Sequence, residues 1–208
     1  METLFLTIIL PFLTAFSVVL LATPALIKVA FLKRLFDEPG EARKLHKRMV
    51  PTIGGIIIFA GTLFAFALWF PMEQIKEYGL LMEGVRNFKF IVAGLLILFF
   101  VGVKDDIVGT APMKKLAAHV LVGLILVLMA DIRIKSLHGI FGITENLPFW
   151  ASVFLSLFTY TVIVNAFNLI DGIDGLASGI VFIASMAFGI WFMLAGDVLT
   201  ASLAFAIS

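Results

Sequence analysis

Residues 147–175 read LPFWASVFLSLFTYTVIVNAFNLIDGIDG. The stretch from Leu147 to Val164 holds no charged residue, and roughly 17 to 20 apolar residues in a row suffice to cross a hydrocarbon layer of about 30 Å. Every backbone polar group must be satisfied internally in lipid, so the run reads as a membrane helix. Polar chemistry begins abruptly behind it, with two amides and two carboxylates between Asn165 and Asp174. A membrane span that ends on such a cluster fixes the kind of protein to expect.

The same pattern recurs along the chain. Leu4 to Ala30, Ile53 to Phe70 and Leu176 to Ala195 are long enough to span, even with Pro11 and Pro24 in the first and Pro148 in the stretch above, because membrane helices tolerate proline. Phe90 to Val103 and Leu116 to Ala130 are shorter, and they count as spans because their charged flanks can reach the headgroups. Met1-Glu2-Thr3 lacks a basic leader and the apolar run behind it is too long for a signal peptide, so it reads as a retained first span. Composition agrees: 62% of the 208 residues are hydrophobic and 14% charged, far from the balance of a soluble domain. The expected fold is all-α, a polytopic integral membrane protein of six spans plus the start of a seventh. Residues 1–208 read as a single membrane domain, the N-terminal part of a longer protein. The apolar run Leu199 to Ile207 is about half a membrane helix long, which reads as a chain cut short at its C-terminus.

Net charge is +1 and cysteine is absent. No global basic field argues for nucleic acid, and thiol chemistry, disulfides and thiolate metal sites are excluded. Location gives the charges meaning. Connections one, three and five carry Lys28, Lys33, Arg34, Arg43, Lys44, Lys47, Arg48, Lys104, Lys114 and Lys115; connections two, four and six carry Lys76, Arg86, Lys89, Arg133 and Lys135. The richer side is expected to face the cytoplasm. Trp69 and Trp150 then fall at the outer ends of their spans, where interfacial rings sit.

Three polar motifs lie on the expected cytoplasmic connections. Arg43-Lys44-Leu45-His46-Lys47-Arg48 precedes Pro51-Thr52-Ile53-Gly54-Gly55. Orientation alone accounts for basic residues there, while cations beside a Gly-Gly turn also suit capture of a phosphate group. Gly102-Val103-Lys104-Asp105-Asp106 closes the third span, and Pro112-Met113-Lys114-Lys115-Leu116 opens the fourth. Adjacent carboxylates at a helix end repel each other and oppose the helix dipole; a divalent cation resolves the conflict, and so does a solvated acidic turn balanced by Lys104. The third motif runs from Asn165 to Gly175. If the fifth helix continues through it, Asn165, Asn168 and Asp171 share a face with Asp174 beyond; a helix cap followed by Asp-Gly turns is the structural alternative. His119 reads as a packed and His138 as a solvated histidine, and Glu73, Glu77 and Glu83 as an outer solvated face.

Together these motifs resemble the polyprenyl-phosphate N-acetylhexosamine-1-phosphate transferases. Arg-Lys-Leu-His and Pro-Met-Lys-Lys-Leu are similar to the branch that uses UDP-N-acetylglucosamine. The resemblance implies transfer of N-acetylglucosamine 1-phosphate from that nucleotide sugar to undecaprenyl phosphate, with release of UMP, as an initiating step of cell-surface polysaccharide synthesis. It implies Mg2+, with Mn2+ as a substitute, and an inner-membrane, multi-pass protein whose site faces the cytoplasm. The partners it implies are a polyprenyl phosphate lipid and a UDP-sugar in a membrane setting, without nucleic acid, with a homodimer also considered. By resemblance, Asp105, Asp106, Asp171 and Asp174 are catalytic; Lys44, His46, Arg48, Lys114 and Asn165 bind substrate; Asn168 and Asp171 belong to the metal site. The family's Phe-x-Gly-Asp-x-Gly-Ser motif and His-rich loop do not occur here, so these 208 residues alone are expected to be inactive. Three other readings stay open: the phospho-N-acetylmuramoyl-pentapeptide transferase branch, a cation-coupled transporter, and an intramembrane prenyltransferase. No internal repeat supports transport.

Overall fold

The computed structural model describes residues 5–37, 50–71, 81–171, 173 and 175–208, with the backbone alone for Phe5, Asp37, Val50 and residues 81–86. A π-helical turn, Phe5–Ile9, leads into α1, Leu10–Lys33. The remaining helices are α2, Gly54–Leu68; α3, Leu81–Val108; α4, Pro112–Leu124; α5, Phe149–Ile170; α6, Leu176–Leu194; and α7, Val198–Ile207. Each apolar segment of the sequence falls on one of them. Four helical stretches are long and apolar enough to cross a bilayer along their described residues: Leu6–Lys33, Pro112–Met129, Phe149–Ile170 and Leu176–Leu194. The short Leu116–Ala130 segment reaches crossing length because its helix starts at Pro112 and runs on as a π-helix over Ile125–Met129. Pro148 does not lie inside a span as expected. It precedes α5, and its carbonyl oxygen accepts from the Ser152 N–H at 2.9 Å.

Two compact units emerge, and α3 contributes to both. The first comprises residues up to Leu81, Asp105–Val108 and Asp171–Ser208. Here α1 ends in a left-handed cap at Arg34, φ 56°, with Arg34 N–H bonded to Phe31 O and Leu35 N–H to Ala30 O. This paired closure satisfies carbonyls that the helix end would otherwise leave open. The chain then forms a two-residue antiparallel ladder, Phe36 opposite Pro51 and Asp37 opposite Val50. Strands of two residues are too short to leave a period in the sequence.

The core of this unit is α7. Leu199 and Ala201 to Ala206 are all buried, as expected of a helix that is apolar all round. It packs against α1, α2 and α6. Small residues set the closest approaches: a Cβ on Gly61 would lie 2.9 Å from Val19 Cγ2, and one on Gly189 would lie 2.8 Å from Phe205 Cε1. Membrane helices associate through such small-residue seams because lipid offers no hydrophobic gain. The Trp69 indole N–H, expected at the interface, donates to Thr14 Oγ1 at 2.8 Å and joins α1 to α2.

The second unit contains residues 82–104 and 109–170. Gly123 of α4 meets Leu157 and Tyr160 of α5. A polar clasp ties the α4–α5 connection to α5: Ser152 Oγ donates to Ile134 O at 2.6 Å, Ile134 N–H to Ser156 Oγ at 2.8 Å, and Arg133 to Ser152 Oγ at 3.0 Å. Asp131, at φ 55°, accepts from Arg133 at 2.6 Å and pairs with Lys135 at 2.7 Å. Hydrogen bonds from Lys135 and then Arg133 hold its carboxyl below the ordinary aspartate value. A depressed carboxylate contributes stability that is full above the unfolded value and is lost as pH falls through the folded one. Asp131→Asn tolerates the same left-handed backbone and removes only the charge. It should therefore flatten the acid-side rise in amide exchange at Ile132 to Ile134, after the usual correction for intrinsic exchange; an unchanged profile would disprove the linkage.

Candidate active site

The chemistry-bearing residues sit at helix ends. α3 runs on through Lys104, Asp105 and Asp106 to Val108, and its last turn holds no basic residue. Asp105 is half-buried and Asp106 exposed. Both carboxylates thus ride on the negative end of a helix dipole, an arrangement that costs stability without a compensating cation.

Within the first unit, Thr52 links two of the three motifs. Its N–H donates to Leu35 O at 3.2 Å, while its hydroxyl stands 3.4 Å from Leu35 O and 3.5 Å from Asp106 O, long contacts that share one hydrogen. The Pro51-Thr52-Ile53-Gly54-Gly55 segment is thereby held beside both the end of α1 and the end of the Asp105-Asp106 turn. Sequence reasoning quoted Thr52 as part of a motif but gave it no role; a hydroxyl between a proline and the Gly-Gly step was the available signal. Gly54 and Gly55 open α2, and among the described residues no side chain caps that end and none beyond their own helix comes within 4 Å of where their Cβ atoms would be. Backbone N–H groups at an uncapped helix start favour an anion.

In the second unit α5 continues into the first half of the third motif, carrying Asn165 and Asn168 on exposed positions one turn apart. The Asn165 amide nitrogen donates to Thr161 O at 2.9 Å and that of Asn168 to Val164 O at 3.1 Å. Each bond uses one of the two amide N–H groups, which holds the side chain against its own helix and leaves its carbonyl oxygen to offer a ligand. α5 stops at Ile170, and Asp171 is an exposed turn residue rather than a third position on the helical face of Asn165 and Asn168. The left-handed Gly175, φ 77°, starts α6. Lys114 lies exposed in the first turn of α4, whose N–H groups at Lys114 and Lys115 bond to Ala111 O. Lys44, His46, Arg48 and Asp174 lie outside the described residues.

The donors described are carboxylate and amide oxygens, which suit a hard cation rather than a soft one. Among the described residues no three acidic or histidine side chains form a ready metal cage. Such a cage is what calcium requires, whereas magnesium is usually held by one or two carboxylates and takes its other oxygens from water and phosphate.

Comparison with known proteins gives a consistent picture. Residues 88–208 match glycosyl transferase family 4. The chain is 34% identical over 179 residues to the undecaprenyl-phosphate alpha-N-acetylglucosaminyl 1-phosphate transferase of Yersinia pestis, covering 86% of this chain and 46% of that protein. The protein of the same name in Escherichia coli (strain K12) is 30% identical over 167 residues, 79% of this chain and 42% of its own length. A probable undecaprenyl-phosphate N-acetylglucosaminyl 1-phosphate transferase of Bacillus subtilis (strain 168) is 26% identical over 200 residues, 94% of this chain and 51% of its own length. The chain thus spans about half the length of the curated relatives it matches. No solved structure matches it.

Proposed function

Because the chain belongs to glycosyl transferase family 4, we propose that it carries membrane helices and acidic groups of a transferase that moves N-acetylglucosamine 1-phosphate from UDP-N-acetylglucosamine to undecaprenyl phosphate. An oxygen of the lipid phosphate attacks the sugar-linked phosphorus, the bond to the bridging oxygen breaks, and UMP leaves. The product, a lipid-linked diphosphosugar, initiates cell-surface polysaccharide synthesis. The observation that carries this reading is the placement of Asp105 and Asp106 on the last turn of α3, with Asp106 O beside the Thr52-Ile53-Gly54-Gly55 helix start. The names of the relatives favour N-acetylglucosamine over the muramoyl-pentapeptide branch.

Phosphoryl transfer asks a protein chiefly to position two anions and to offset the charge that develops. In this reading Lys114 and the basic stretch containing Lys44, His46 and Arg48 attract the phosphates, and the open N–H groups at Gly54 and Gly55 supply further donors. Asp105 or Asp106 orients the attacking lipid phosphate, with Asp171, Asp174 and the carbonyl oxygens of Asn165 and Asn168 completing the polar set. By the family resemblance Asn168 and Asp171 would hold magnesium, which when bound would supply positive charge to the phosphates. The excess of Lys and Arg on the connections bearing these motifs supports a cytoplasmic-facing site in the inner membrane.

The test is release of UMP by membranes containing the protein that carries this sequence, supplied with undecaprenyl phosphate, UDP-N-acetylglucosamine and magnesium. UMP should appear only when the lipid phosphate is present and should cease on chelation. Ion or solute uptake by proteoliposomes without a nucleotide sugar would instead support transport.

A further inference from the structure

The α4–α5 connection, residues 131–148, plays no part in the proposed chemistry, yet it is the most elaborately hydrogen-bonded connection among the described residues. Its base is closed by a bridge between Ser136 and Asn146 and by Leu147 N–H bonded to Lys135 O at 2.8 Å. Ser152 and Ser156 fasten that base to α5. At the tip, Ile140 N–H bonds to Leu137 O, Gly142 N–H to Gly139 O, Ile143 N–H to Ile140 O and Gly139 N–H to Ile143 O, at 2.9 to 3.2 Å. The tip is thus a rigid turn at a fixed height above the start of α5.

What this turn displays is apolar. Phe141 is 91% exposed, Ile140 60% and Ile143 41%. Phe141 adopts φ 57°, ψ 21° between Gly139 at φ 89° and Gly142 at φ 74°. The left-handed region is unfavourable for a bulky aromatic residue, and glycine occupies it at no steric cost. A strained backbone that delivers a large ring to the outside is accounted for if the ring has an apolar destination.

We propose that this turn is a bilayer-interface anchor, with Ile140, Phe141 and Ile143 seated among the lipid headgroups at the end of the span that begins at Phe149. The adjoining helix start supplies the reason to choose lipid over a protein partner. Phe149 and Trp150 are 50% and 74% exposed, their rings meet edge to face at 5.1 Å, and the Arg133 guanidinium lies 5.1 Å from the Phe149 ring. Exposed aromatic rings at the end of a span sit at headgroup depth, and the turn joins this collar through residues 144–148, whose Leu147 N–H is bonded back to Lys135 O. The anchor fixes the depth and rotation of α5, the helix that carries Asn165 and Asn168 at its other end. Tilt and rotation of a membrane helix are set by such interfacial anchors together with packing.

The chain has no cysteine, so Phe141→Cys, Ile140→Cys and Glu145→Cys each give one attachment point for a nitroxide. The full chain is placed in liposomes of phosphatidylethanolamine and phosphatidylglycerol, and collision of the nitroxide with oxygen is compared with collision with a water-soluble nickel complex. The oxygen-to-nickel ratio at 140 and 141 is expected to be several-fold above that at 145, the charged exposed residue of the same connection. A ratio at 140 and 141 equal to that at 145 would overturn the proposal. So would dipolar broadening between labels at 141, which would place a second copy on the turn instead of lipid. Residue 141 is so exposed that its substitution leaves no cavity, and the label at 140 gives a second reading at a position without positive φ.

Discussion

Asp106→Asn is expected to lower UMP release by on the order of 10²-fold or more, the scale of losing a group that acts directly on the reacting phosphates. The substitution keeps volume and polarity and removes the charge alone. It also leaves the backbone carbonyl that faces Thr52 in place. Thermal stability is read beside activity, because an exposed carboxylate contributes only about 0–1 kcal/mol through its partners. A variant that is inactive because it is less stable would mark Asp106 as a structural residue, and an active one would remove it from the site. Asp105→Asn, run beside it, separates the two: the half-buried carboxylate has more environment to lose than the exposed one.

Most of the helical framework was legible in the sequence because lipid imposes one rule on every spanning segment, and that rule leaves long apolar runs. Continuation of α5 through Asn165 and Asn168 was legible too, since no glycine or proline interrupts Leu147 to Ile170 after Pro148. The end of that helix was open between a shared face and Asp-Gly turns. Asp171 keeps the three-residue spacing of a shared face, yet α5 ends at Ile170 before the spacing can matter, and Gly175 takes a left-handed φ to begin α6. The role of Thr52 was hidden for a different reason: its place between Pro51 and the Gly-Gly step marks the hydroxyl, but not the carbonyls 17 and 54 residues away that it faces. The central position of α7 was hidden as well. Apolarity all round marks a helix as buried or lipid-facing, and only the packing of α1, α2 and α6 around it decides between the two.

That packing makes Gly189 and Phe205 a coupled pair. Phe205 is fully buried, and a methyl group on Gly189 would stand 2.8, 2.9 and 3.1 Å from three of its ring carbons. A ring closed in on all sides cannot retreat, so Gly189→Ala should cost about 1–3 kcal/mol by overpacking, even though alanine is the better helix former by roughly 1 kcal/mol. Gly179, in the same helix, has no described residue beyond its own helix within 4 Å of the Cβ position; there the propensity gain stands alone, and Gly179→Ala should stabilise. Phe205→Leu withdraws the outer ring atoms and leaves a void, at a cost of its own. Combined with Gly189→Ala, the added methyl finds the space the ring has left, so the double variant should be more stable than the two single losses predict when added. The coupling expected for residues in direct contact is about 0.5–3 kcal/mol. Unfolding midpoints of the four proteins and the Gly179→Ala control, measured in one detergent, decide it: strict additivity would mean that Gly189 and Phe205 do not touch, and the α6–α7 interface described here would have to be redrawn.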